Sequence, residues 1–152
     1  MAQEAPLFRF GLGLHGGLLF DLPEEFAQRS LSRARDLGIS AVATIEEGPW
    51  QWGAEAVYFT KRYGWLTGRA ARQLGDAAIA PYLALQFGAA GLDVEGGSFG
   101  PLAGFEAGLH LGQAGSRPRA DVGILAAAAV FKHSSGGAFW LPSLTVGVRL
   151  YY

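Results

Sequence analysis

The chain has no cysteine, no asparagine, little charge at 16% of residues, and no apolar run long enough for a spanning helix. The missing cysteines exclude disulfides, thiol catalysis and thiolate metal sites. The greasiest stretch, AAIAPYLALQFGAAGL at residues 77–92, falls short of the roughly 18 to 20 residues a membrane helix needs, and Pro81, Gln86, Gly88 and Gly91 interrupt it. A formal net charge of −1 gives no electrostatic footprint for nucleic acid, and no phosphate-binding loop, dinucleotide fingerprint or zinc-ligand spacing occurs. Absence of asparagine, with arginine far outnumbering lysine, suits a thermophile and a GC-rich genome equally. The opening MAQEAPLFRF has neither a basic start nor an apolar core, so no signal peptide is expected in it; AQEAP reads equally as the remnant of signal cleavage and as an intact start.

What is present is glycine, 23 residues of it, with 12% aromatics and a mean hydropathy of +0.20. At 152 residues the chain is expected to form one domain, with residues 1–6 as a short tail. The dominant period is two. In SLTVGVRLYY, residues 143–152, Leu144, Val146, Val148, Leu150 and Tyr152 share one face of a strand, and Ser143, Thr145, Gly147, Arg149 and Tyr151 share the other. LFRFGLGLHGGLLF sets Phe8, Phe10, Leu12, Leu14, Leu18 and Phe20 against Arg9, Gly11, Gly13, His15 and Gly17. LGISAVATIE and WQWGAEAVYF read as a hairpin about the turn EEGP. AIAPYLALQFGAA and LAGFEAGLHLG alternate in the same way, with Glu106 and His110 opposite the apolar side of the latter. DVGILAAAAVFKH is apolar on both sides, so its register is open, and WLTGRAARQL alternates poorly.

In a soluble sandwich or barrel the face opposite the apolar stripe is wetted by many large polar side chains. Here that face carries glycine, alanine and isolated polar residues. A membrane barrel inverts the arrangement, with apolar residues outward and glycine mixed with polar residues in the lumen. Trp50, Trp52, Trp65, Tyr63, Phe99, Trp140, Tyr151 and Tyr152, near strand ends, are expected to form interfacial girdles. The expected fold is therefore all-β, an eight-stranded antiparallel up-and-down transmembrane β-barrel. Its strands fall at about 7–20, 35–46, 50–61, 65–74, 77–92, 100–112, 119–133 and 142–152. The segment at 65–74 is counted as a strand because such barrels need an even number, not on its own pattern.

The tail, apolar at Leu144, Val146, Val148 and Leu150 and ending on Tyr152, resembles the C-terminal assembly signal of bacterial outer-membrane barrels. Together with PYLALQFGAAG and GGAFWLPSLTVGVRLYY, it makes residues 77–152 similar to the small outer-membrane barrel families that include OmpA-like and OmpX-like proteins. The resemblance implies a bacterial outer-membrane location, contact with outer-membrane lipid and lipopolysaccharide, engagement of the barrel assembly machinery during biogenesis, and a monomer. No nucleic-acid partner, cofactor or metal is expected.

An eight-stranded barrel is just wide enough to be filled by its own side chains. Arg9, Glu55, Glu106, His110 and Arg149 point inward in these registers and are expected to pair into a plugging network, a polar core in one reading and an ion gate in another. The longest loop, DLPEEFAQRSLSRARD, carries a helix start at Asp21 with Pro23, Glu24 and Glu25; Arg29, Arg33 and Arg35 would face either water or lipopolysaccharide phosphates. FKHSSGG offers the one enzymatic alternative. His133 and Ser135 resemble the His-x-Ser element of outer-membrane lipid A deacylases, implying a general base and a nucleophile at the outer rim. That family orients its histidine with a carboxylate on the last strand, and no Asp or Glu follows Asp121 here. A plain loop and a non-enzymatic structural or interaction protein is the favoured reading.

Overall fold

The computed structural model describes residues 6–19, 35–60, 63–92, 98–112, 118–132 and 137–152. The loop helix expected from Asp21, the loop arginines Arg29 and Arg33, and the pair His133 and Ser135 fall outside them. Eight strands follow one another: β1 (Leu7–Leu19), β2 (Arg35–Glu47), β3 (Trp50–Phe59), β4 (Tyr63–Gln73), β5 (Ile79–Leu92), β6 (Ser98–Leu111), β7 (Arg119–Lys132) and β8 (Ala138–Tyr151). Each pairs antiparallel with its neighbour in sequence, and β8 returns to β1, from Gly11 opposite Tyr151 to Leu19 opposite Ser143. The sheet is thereby a closed barrel with no free edge.

The tightest connection shows how sequence sets register. Glu47 and Trp50 pair across Gly48 and Pro49, and Gly48 has φ of +58°. A positive φ followed by a proline, whose φ is fixed and negative, is the type II′ arrangement, whose twist matches that of the flanking strands. This turn and the connections 74–78 and 112–118 lie at one end of the barrel, the turn end, together with both described chain ends, and the remaining connections lie at the other, the loop end.

Five boundaries differ from the sequence reading by two residues or more: β3 ends at Phe59, β4 begins at Tyr63, β5 at Ile79, β6 at Ser98 and β8 at Ala138. Proline does not stop β8. Pro142 pairs with Ala128 of β7 inside the strand. Pro101 lies one residue beyond the β6–β7 ladder, and Pro81 one residue beyond the β4–β5 ladder. Pro81 still accepts from the Leu74 N–H on its β4 side, at 2.8 Å, through its carbonyl.

Polarity is inside out. Phe10, Leu12, Leu14 and Leu37 are all more than 60% exposed on the outer wall, whereas Arg9 and Glu55 are 0% exposed and Arg149 is 1% exposed. Among described side chains of that wall, only Glu47, Arg72 and Lys132 carry a charge, each at or near a strand end. The unassigned register of β7 is settled by its neighbours: Arg119, Asp121, Leu125, Ala127, Ala129 and Phe131 face inward. The poorly alternating β4 also obeys period two, with Trp65, Thr67, Arg69 and Ala71 inside. Three aromatics expected in girdles are not there. Tyr63, Trp65 and Tyr151 are buried in the lumen because strand parity outranks nearness to a strand end. Trp50, Trp52, Phe99, Trp140 and Tyr152 do face outward.

Candidate functional site

The lumen is filled in two layers. Towards the loop end it is apolar and aromatic, with Phe59, Tyr63, Trp65, Leu92, Phe131 and Leu141 in one buried cluster. Phe59 packs against Trp65 at 5.0 Å between ring centroids and against Tyr63 at 5.9 Å. A void of about 10 Å³ between Gly17, Asp36, Phe59, Tyr63, Trp65 and Thr145 is at the lower limit for one water molecule.

From mid-barrel to the turn end the filling is charged. Arg149 lies at the centre, and its guanidinium grips Glu55 with two bonds, Nε to Oε1 at 2.6 Å and Nη2 to Oε2 at 2.7 Å. The same group donates to Glu106, from Nη1 at 2.6 Å and from Nη2 at 3.2 Å. Glu106 also accepts from Gln86 Nε2 at 2.7 Å, from Arg69 Nε at 3.3 Å and from the Tyr82 hydroxyl. Arg69 extends the network to Gln51 and approaches Asp121 at 3.9 Å. His15 Nε2 lies 2.9 Å from Ser40 Oγ and 3.3 Å from Glu55 Oε1.

A second branch closes the turn end. Glu46 receives Arg9 at 3.0 Å and Arg119 at 2.8 Å, and Arg119 also reaches Gln73 at 3.3 Å and Asp121 at 3.7 Å. Asp121 Oδ1 is 2.5 Å from His110 Nδ1, whose ring stacks on Tyr82 at 4.3 Å. Four guanidinium groups, of Arg9, Arg69, Arg119 and Arg149, therefore meet four carboxylates, of Glu46, Glu55, Glu106 and Asp121. In a space this dry an unmatched charge would be severely penalised, and none of these eight stands alone.

Glycine on the inner face makes the room. A Cβ on Gly123 would collide with the Tyr82 hydroxyl and the Glu106 carboxylate, and one on Gly147 would lie 2.7 Å from His15 Nδ1. Removing those methyl groups lets large polar side chains cross the lumen from opposite strands.

All five residues expected inside are in the lumen: Arg9, Glu55, Glu106, His110 and Arg149. Glu55, Glu106 and Arg149 touch one another, whereas Arg9 and His110 belong to the second branch, joined to the first through Asp121. Sequence reasoning missed Arg69, Asp121, Arg119 and Glu46. Asp121 sat in a stretch apolar on both faces and Arg69 in one without clear period, so neither segment had an inner face to assign. The available signal was cross-strand: once the turns are placed, Asp121 falls opposite both His110 and Arg149. Leu144, Val146, Val148, Leu150 and Tyr152 all lie on the outer wall. Among the described residues, no group of three or more His, Cys, Asp or Glu side chains could hold a metal ion.

No protein-family model matches the chain, and no curated protein sequence matches it. Among solved structures, the crystal structure of Neisserial surface protein A superposes on 98% of this chain and 100% of its own, with a TM-score of 0.64. The identity is 15%, so the likeness is one of fold.

The connectivity gives an order of costs. Glu106→Ala removes the partner of Arg149, Arg69, Gln86 and Tyr82 at once and should destabilise the barrel by about 3 to 5 kcal/mol in denaturant titration. Replacing Glu55, Glu106, Arg69 and Arg149 together by apolar residues of similar volume should cost much less, because no charge is then left buried alone.

Proposed function

We propose that this chain is an integral outer-membrane barrel with a structural or interaction role and a lumen plugged by its own side chains. The observation that carries the reading is the inversion of polarity. A wall of Phe, Leu, Ile and Val whose described side chains carry charge only at its rims is suited to hydrocarbon, while four arginines and the four carboxylates they meet are enclosed within. The superposition with a Neisserial surface protein supports the same class, and the tail supports placement among the OmpA-like and OmpX-like barrels. The end bearing the Gly48–Pro49 turn and both described chain ends is then periplasmic, and the other end, with the longest connection at 20–34, faces out. Lipopolysaccharide would surround the outer rim, the assembly machinery would be the partner in biogenesis, and the barrel would work as a monomer. The aromatic layer stacked on the salt-bridged layer supports the plugged reading.

Refolded protein should require detergent and migrate differently on SDS gels when unboiled, because the closed ladder resists the detergent. In planar bilayers it should show at most small, intermittent currents. A monodisperse detergent-free solution would remove the membrane reading, and large steady channels would remove the plug.

The terminal residue has a separate test. Tyr152→Asp should impair assembly in cells far more than refolding in detergent, if the outward-facing tail is read by the assembly machinery. Equal loss in both settings would make its role that of packing alone.

For catalysis, lipid A incubated with the refolded barrel should keep its mass. Loss of one acyl chain, abolished by Ser135→Ala, would instead identify a hydrolase.

A further inference from the structure

The outer wall carries one arrangement that the lumen network does not explain. At the turn end, Trp50 and Trp52 stack with centroids 5.4 Å apart and planes 16° from parallel, and the Arg72 guanidinium carbon lies 5.5 Å from the centre of the Trp50 ring. Arg72 is exposed. The four lumen arginines all meet carboxylates, but among the described residues Arg72 meets only this ring. A guanidinium laid against an aromatic face keeps its N–H fork free at the edge, the geometry that takes two oxygens of a phosphate.

The position says which phosphate. Glu47, Trp50 and Arg72 form one cross-strand row over β2, β3 and β4, since Glu47 pairs with Trp50 and Trp50 with Arg72. Trp50 is the first residue of β3, so the row lies at the rim where the apolar wall ends. Its ends carry opposite charges about two strand spacings apart, roughly 10 Å between backbones, with an aromatic surface between them. Both flexible end groups can converge over that surface. A ligand matching this row has a phosphate, a nearby cation and an apolar part entering the membrane.

We propose that Arg72, Trp50 and Glu47 dock the zwitterionic headgroup of a phospholipid in the leaflet at the turn end, with its phosphate on Arg72 and its ammonium towards Glu47. The site rests on the membrane reading above and adds a lipid class to it. An anionic headgroup without an amine would satisfy Arg72 alone and face Glu47 unfavourably.

Native mass spectrometry of the refolded chain, with phosphatidylethanolamine and phosphatidylglycerol of identical acyl chains added to the micelles, tests the proposal. Wild type should retain the ethanolamine lipid in preference to the glycerol lipid. Arg72→Gln should weaken retention about tenfold, as loss of a charge-assisted contact to phosphate implies. Glu47→Gln should erase the preference between the two lipids, and Lys132→Gln, at the opposite rim, should change neither. Unboiled gel migration of each variant shows whether its barrel is intact. Unchanged retention in folded Arg72→Gln, equal retention of both lipids by wild type, displacement of lipid by inorganic phosphate, or a protein dimer in place of the lipid adduct would each overturn the site while leaving the barrel reading standing. A wild-type chain that shows no gel shift and needs no detergent would overturn the barrel reading and the site with it.

Discussion

Closure of the sheet is the constraint on which the rest depends. A wall as apolar as this one offers no partner for a backbone N–H or C=O, so in hydrocarbon every such group must be satisfied by a neighbouring strand. The β1–β8 pairing achieves this by leaving no edge. With eight strands the enclosed space is just wide enough to be filled by side chains and too wide to be left empty. Whatever the inner residues are, they must fill it and satisfy one another.

That requirement accounts for the two-layer lumen. Bulk near the loop end is supplied by rings, which need few hydrogen bonds. Near the turn end it is supplied by arginine and glutamate, which fill as much space but must be matched in charge and geometry. Arg149, bonded to Glu55 from β3 and Glu106 from β6, ties distant parts of the wall together across the lumen. Burial of such a network is weak evidence for net stability, since apolar filling of the same volume performs about as well. Its clearer consequence is specificity of register.

The architecture was largely readable from the sequence because period two is a local property, visible within ten residues on β1, β2, β3, β6 and β8. The inverted polarity was legible in what the second face lacked. The site was half readable. Glu55, Glu106 and Arg149 lie on strands whose parity is plain, so their inward direction could be deduced. Arg69 lies on a strand that alternates poorly and Asp121 on one apolar on both sides, and only pairing to neighbours orients them. The aromatic girdle was over-read at Tyr63, Trp65 and Tyr151, because distance from a strand end gives depth but not face. Depth and face are independent coordinates, and parity alone sets the second.

Register specificity then links the lumen to the wall. If β8 slipped by one residue against β7 and β1, Arg149 would turn from its two glutamates towards the outer wall and Leu150 would enter the network, while the apolar row from Leu144 to Tyr152 would turn inward. In a membrane both halves of that exchange are unfavourable, one burying unmatched glutamates and the other presenting an arginine to lipid. A slip of two residues preserves the faces but carries Arg149 along the strand by more than 6 Å, about 3.4 Å per residue, beyond the reach of bonds now at 2.6 and 2.7 Å. The outer pattern therefore excludes odd slips and the inner ion pairs exclude even ones, so the closing strand has one register in which both faces are satisfied.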